Sequence, residues 1–199
     1  IGLCLVGSEM CIRDSYCEIH PYNKVPEITY QIKGIILSGS PSSCSDPNAP
    51  FADIDWMNLQ IPVLGLCYGA QFLVASNGGK VEKSSHREYG RANVTITEND
   101  SLFQGIDNGS QVWMSHGDTI LEMPENTQIL AKTETIPVAA YRFIGKEIYA
   151  VQFHPEVSHS IDGKLLLANF TKSICGCVGD WTPAHFVSES VEHYKQLIG

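Results

Sequence analysis

The stretch Val63-Leu-Gly-Leu-Cys-Tyr-Gly-Ala-Gln71 joins an apolar run to a helix-like run through a cysteine with a glycine two residues away on each side. The apolar run, Ile61 to Leu66, has the length and composition of a strand buried on both faces. From Ala70 to Ser76 the pattern is helical, and Asn77-Gly78-Gly79 supplies a C-terminal stop. A buried strand running straight into a helix is the unit of an α/β fold. Cys67 stands at the junction. A lone cysteine there is ordinarily a small packed hydrophobe. Gly65-Leu-Cys-Tyr-Gly69, however, has the form G-x-C-x-G, the thiol counterpart of the G-x-S-x-G turn that lifts a nucleophile above a sheet. Side chains at the flanking glycines would collide in so sharp a turn. Free N–H groups at a helix start favour the anionic form of a thiol placed there.

Outward from this junction the chain keeps alternating strand-like and helix-like segments. Gly34 to Ser38 reads as a second buried parallel strand, opening into Gly39-Ser40-Pro41 and a loop rich in Ser, Pro, Asn and Asp. Ala92 to Ile96 alternates as strands do, and Gln111 to Met114 is an apolar run ending at Ser115-His-Gly-Asp118. Val138 to Phe143 and Glu147 to Phe153 flank Ile144-Gly145-Lys146, a hairpin signal. Ile161 to Ile174 carries apolar residues at helical spacing, and the last twenty residues read as a linker and an amphipathic helix with Phe186, Val187, Val191, Tyr194 and Leu197 on one face. The expected fold is an open, mostly parallel α/β sheet flanked by helices, of flavodoxin or Rossmann-like character.

Composition narrows the function. The 199 residues suit one domain with a real core, and 43% hydrophobic against 18% charged residues is ordinary for a globular protein. A net charge of −9 without any basic run argues against nucleic acid or an anionic membrane as partner. No apolar stretch approaches the ~20 residues of a membrane span, and the short apolar start lacks the basic leader of a signal peptide. The seven cysteines, at 4, 11, 17, 44, 67, 175 and 177, contain no CxxC pair, so no metal site is expected. Cys175-Gly-Cys177 reads as two ordinary thiols, and reduced cysteines point to the cytoplasm.

A thiol nucleophile needs a base, and the base needs an orienting group. Gln152-Phe-His-Pro-Glu156 offers both at the end of another strand. A residue before proline is held extended, and extended residues i and i+2 project to the same side. His154 and Glu156 are thus presented together. The carboxyl ends of strands are where open α/β sheets gather ligands, and Cys67 and His154 both sit there. Backbone N–H groups around Gly39-Ser40, with that of Tyr68, are candidates for an oxyanion hole, where such donors contribute ~3–4 kcal/mol each. His116 is a candidate second base or substrate-contacting residue. His86-Arg-Glu-Tyr-Gly90 reads as a solvated loop.

Gly65-Leu-Cys-Tyr-Gly-Ala-Gln71 together with Phe153-His-Pro-Glu156 resembles the class I, or triad, glutamine amidotransferases. GIILSGSP from Gly34, REYGRA from Arg87, VWMSHGD from Val112, VQFHPEVSHS from Val151 and CGCVGDWTP from Cys175 resemble, within that class, the amidotransferase domains of the GMP synthase family. The resemblance covers residues 16 to 199. It implies an enzyme in which Cys67 attacks the carboxamide of glutamine, His154 moves the proton and Glu156 orients His154. By matching position, Gly39, Ser40 and Tyr68 supply oxyanion N–H groups, while Gln71, Ser115, His116 and Gly117 hold glutamine. The family commonly has Gly-Gly-Pro where this chain has Gly39-Ser40-Pro41.

The resemblance also implies a partner, an ATP-pyrophosphatase (synthetase) domain that activates XMP with ATP and Mg²⁺, and a homodimer made through that region. The amidotransferase domain itself takes no cofactor. On this reading residues 16–179 are the amidotransferase domain, and residues 180–199 are a linker and the start of a synthetase domain absent from this chain. Residues 1–15 run about two helical turns short of the family pattern. They are expected to be foreign sequence, an idea that an uninterrupted natural frame through Ser15 in source DNA would contradict. Three other readings stay open: the amidotransferase partner of another synthase, such as anthranilate or carbamoyl-phosphate synthase, a γ-glutamyl peptide hydrolase, and a silent interaction fragment.

Overall fold

A computed structural model of the chain describes residues 15–179, with Val191 and Lys195. The readings that fall on residues 1–14 and on most of residues 180–199, a foreign start and a terminal amphipathic helix, lie outside the described residues. The framework is a six-stranded sheet in the order β1-β2-β8-β7-β6-β4. Its strands are β1 (Ile35–Leu37), β2 (Val63–Leu66), β4 (Thr95–Ile96), β6 (Thr127–Lys132), β7 (Ala140–Phe143) and β8 (Ile148–Val151). β1, β2 and β8 are parallel neighbours, whereas β8–β7, β7–β6 and β6–β4 are antiparallel. The α/β reading stands, with the parallel pairings gathered in one half of a mixed sheet.

Every residue of β1, β2 and β8 is buried. Alternate residues feed two separate cores. Ile35, Leu37, Val63, Ile148 and Ala150 pack on one face with Phe72, Leu73 and Val74 of α1 (Tyr68–Ser76). Ile36, Leu64, Leu66, Tyr149 and Val151 pack on the other with Leu166, Leu167 and Phe170. That second layer is α2 (Gly163–Ala168), which continues as a wider turn through Asn169–Ile174. Cover on both faces is why these strands read as unbroken apolar runs.

A second sheet is a two-stranded antiparallel ribbon of β3 (Lys80–Asn93) and β5 (Gln111–Glu122). Three expectations change here. The segment around His86 to Gly90 lies in a strand and not in a solvated loop. β5 does not stop at Met114 but runs through Ser115-His-Gly-Asp118 to Glu122. The run Ala92–Ile96 is split at Val94, whose N–H donates to the Ser110 carbonyl and whose carbonyl accepts from Gly109. The common cause is pairing: the two charged, glycine-bearing segments satisfy each other's backbone groups, which neither does alone. The ladder is irregular where residues 84–87 of β3 stand opposite the single Gly117 of β5. β6 carried no clear signal in the sequence and is defined by its pairing to β7 and β4.

Candidate active site

The site lies at the carboxyl ends of β2 and β8, with β5 crossing above. Cys67 has φ 49° and ψ −102°, a left-handed backbone that a non-glycine residue adopts at a cost of about 1–3 kcal/mol. The elbow is held by close backbone packing. A Cβ on Gly69 would collide with the Leu37 carbonyl oxygen, and one on Gly65 would lie 2.8 Å from the Gly69 carbonyl. The flanking glycines therefore allow β1, β2 and the first turn of α1 to meet, while the strained angle falls on the cysteine itself. Helix α1 starts at Tyr68, immediately after Cys67 and two residues earlier than its sequence pattern.

His154 and Glu156 are presented together, as the His-Pro-Glu spacing led one to expect. His154 Nδ1 is 2.7 Å from Glu156 Oε1, and both side chains are largely buried, at 18% and 15% exposed. With Nδ1 engaged by the carboxylate, Nε2 is the nitrogen left for Cys67. Burial opposes a charge on this ring, but the hydrogen-bonding Cys67 sulfur and the Glu156 carboxylate outweigh it and raise its pKa to about 10. Gly39 sits against the pair: a Cβ there would be 3.2 Å from His154 Cε1 and 3.8 Å from Cys67 Cβ. Tyr68 is the first residue of α1, so its N–H has no acceptor in the helix. Among the described residues no acceptor is found for the N–H of Gly39 or Ser40. The three candidate oxyanion donors thus have no competing backbone acceptor among the described residues.

A cavity of about 470 Å³ opens beside Cys67, within the range of small-molecule sites. Ser40, Gln71, Ser115, His116 and Gly117 line it, whereas Gly39, Tyr68 and His154 are not among its lining residues. Gln71 is 3% exposed, and its Nε2 donates to the Asp118 carbonyl at 3.1 Å and to Gln152 Oε1 at 3.3 Å. Only its carbonyl oxygen remains to meet a ligand. His116 places Nδ1 2.8 Å from the same Asp118 carbonyl, which can only accept, so Nδ1 carries the hydrogen. Burial lowers the His116 pKa, with the nearby His154 acting in the same direction against the Asp118 hydrogen bond.

Sequence reasoning missed several supports. Ser43 Oγ donates to the buried Asp118 carboxylate at 2.5 Å, joining the loop after β1 to β5. Ser160 Oγ donates to the His154 carbonyl at 2.6 Å and accepts from the Trp113 N–H at 3.0 Å, while the His154 N–H donates to the Trp113 carbonyl at 2.9 Å. A Cβ on Gly163 would overlap the Pro155 carbonyl, so the start of α2 buttresses the His-Pro-Glu turn. A glycine opening a helix just after that turn was the one available signal. Among the described residues no group of three or more His, Cys, Asp or Glu is placed to hold a metal ion. Nor is any helix among them long and apolar enough to cross a membrane.

A strained cysteine elbow, an imidazole with a carboxylate behind it and backbone donors beside the sulfur make up the apparatus of thiol-dependent acyl transfer. The chain belongs to the class-I glutamine amidotransferase family, whose profile matches residues 6–174. It is 53% identical over 185 residues to the GMP synthase [glutamine-hydrolyzing] of Cytophaga hutchinsonii, covering 92% of this chain and 36% of that protein. The corresponding enzyme of Bacteroides fragilis is 48% identical over 98% of this chain and 39% of its own length. The chain therefore spans little more than a third of these curated relatives. Among solved structures, a protein assigned as a GMP synthase subunit from Thermoplasma acidophilum matches with a TM-score of 0.67 and 30% identity over 80% of each chain. A glutamine amidotransferase from Thermotoga maritima shares the fold, with a TM-score of 0.60, 20% identity and coverage of 82% of this chain and 83% of that one.

Proposed function

We propose that this chain is the glutamine-hydrolysing part of a GMP synthase, releasing ammonia for the amination of XMP. The observation that carries the chemistry is the strained Cys67 beside a His154 whose other nitrogen is 2.7 Å from Glu156. The Cys67 proton passes to His154 Nε2, and the sulfur attacks the side-chain carboxamide carbon of glutamine. The carbonyl oxygen becomes an oxyanion facing the N–H groups of Tyr68 and of Gly39 or Ser40. As the tetrahedral adduct collapses, His154 gives its proton to the departing nitrogen. Ammonia leaves and a glutamyl thioester stays on Cys67. His154 then takes a proton from water, whose oxygen attacks the thioester, and glutamate departs as the proton returns to sulfur.

Gln71, Ser115, His116 and Gly117 hold the amino-acid end of the substrate. The identities to GMP synthases over 92% and 98% of the chain support this acceptor over that of another synthase. ATP, Mg²⁺ and XMP belong, on this proposal, to a synthetase part of the whole protein, through which it also dimerises. The hydrolytic half-reaction uses protein groups alone. The free thiols at Cys17, Cys44, Cys67, Cys175 and Cys177 support a reducing compartment, the cytoplasm.

The test measures glutamate and ammonia formed from glutamine, alone and with a GMP synthase synthetase domain, XMP and ATP. Equal amounts of both products, absent with Cys67→Ala, are expected. Preferred cleavage of γ-glutamyl peptides over glutamine would sink the proposal.

A further inference from the structure

One buried amide near the nucleophile has no part in the mechanism above. Gln152, 2% exposed at the end of β8, places Nε2 3.9 Å from Cys67 Sγ. Which end of an amide faces a neighbour must be argued from its partners. The Asp118 carbonyl oxygen can only accept, so the Gln71 atom 3.1 Å from it is the amide nitrogen. The same nitrogen faces Gln152 at 3.3 Å, which makes the facing Gln152 atom its oxygen. The far end of the Gln152 amide, directed at Cys67, is then its NH₂ group. Besides His154, the sulfur meets the opposite kind of group, the Ser115 carbonyl oxygen at 3.7 Å. A protonated Cys67 donates to Ser115; an anionic Cys67 repels that carbonyl and attracts the Gln152 N–H.

We propose that Gln152 is a further catalytic residue, donating an N–H to the anionic sulfur of Cys67, with Gln71 as the positioning residue that locks the direction of its amide against the Asp118 backbone. The proposal rests on the assignment of Cys67 as nucleophile. It gives Gln71 a second task besides lining the cavity. The titratable and charged groups around the sulfur are His154, with Glu156 behind it, at the end of β8, His116 and Asp118 on β5, and Cys44 in the loop after β1. Asp46 and Lys83 stand further out along the cavity. Of these only His154 offers a hydrogen bond to the anion, so the Gln152 N–H is the second donor to it.

The test is the pH profile of Cys67 alkylation by iodoacetamide, read by mass spectrometry on the peptide that contains it. This reagent needs no glutamine, so the profile tests Gln152 whether or not the chain hydrolyses glutamine. Gln152→Leu removes the donor. Gln152→Glu keeps the acceptor for Gln71 and turns a second acceptor toward the sulfur. Both are expected to move the profile's midpoint upward, Gln152→Leu by about one pH unit and Gln152→Glu by more, a roughly tenfold or greater loss of reactive sulfur below the midpoint. A purely structural role predicts that Gln152→Glu behaves as the parent chain. Profiles of both variants that superimpose on the parent overturn the proposal. If either variant unfolds, Gln152→Met, which keeps the volume without the donor, is read in the same way.

Discussion

Two histidines stand within the same site on different frameworks, and their surroundings push their pKa values in opposite directions. His154 follows β8, a strand buried along its whole length, and has a carboxylate against one ring nitrogen and Cys67 near the other. His116 lies on the β3–β5 ribbon, with a backbone carbonyl as partner and burial lowering its pKa. The parallel half of the molecule favours the charged form of His154 and sets it beside Cys67. The ribbon walls the cavity with Ser115, His116 and Gly117 and with the charged side chains of Asp118 and Lys83. Substitutions in the first should therefore act on turnover and on the fold, and substitutions in the second on substrate affinity.

The largest effect is expected at Cys67. Cys67→Ala should reduce glutamine hydrolysis by about 10⁴-fold or more, while external ammonia still supports GMP formation in a full-length synthase. Equal loss with ammonia would contradict the division of labour. Next come the glycines, which contrast the two frameworks in stability. Gly69→Ala forces a Cβ onto the Leu37 carbonyl oxygen and should cost about 3 kcal/mol or prevent folding. Gly117→Ala on the ribbon meets nothing closer than the Tyr89 hydroxyl at 3.9 Å and should change stability by less than about 1 kcal/mol. Urea denaturation of both variants checks the difference.

The opposed histidines give a pH prediction with a definite sign. The folded pKa of His154 is raised above its ordinary value, so the stability it adds is fully present below pH 6.5 and is lost as pH rises through about 10. His116 is lowered, so its contribution is intact above pH 6.5 and is lost as pH falls below that value. Stability measured against pH should fall on the alkaline side by an amount on the order of 2 kcal/mol. Glu156→Gln should flatten that limb and leave the acid limb unchanged; an unaltered alkaline limb would break the comparison. The smallest effect on turnover is expected at Ser43, where Ser43→Ala removes a hydrogen bond to buried Asp118. A cost of about 1–2 kcal/mol and a several-fold rise in KM with kcat nearly constant would place this contact with the substrate wall.

The parts legible in the sequence were those whose signal is local. Gly65-Leu-Cys-Tyr-Gly69 showed its turn because the steric demand falls on neighbours in the chain, and His154-Pro155-Glu156 showed its geometry because proline holds it extended. Ile144-Gly145-Lys146 marked its hairpin through Gly145, which has φ 76°. What stayed hidden depends on distant partners. β3 carries six charged residues among its 14 and becomes a strand only through its ladder with β5. Ser43 meets Asp118, Ser160 meets Trp113 and Gly163 meets Pro155 only after the chain has folded. Gln152 sat inside a motif that was read for its histidine. Its amide points at the sulfur because Gln71, eighty-one positions away, turns it there.

The central claim is that Cys67 is the atom that meets glutamine. The most direct measurement is peptide mapping after treatment with a glutamine-like chloroketone, with and without excess glutamine and with and without the synthetase partner. The account requires one adduct, on Cys67, that glutamine suppresses and Glu156→Gln slows. No adduct on Cys67 under any of these conditions, or an adduct that glutamine fails to suppress, would contradict it.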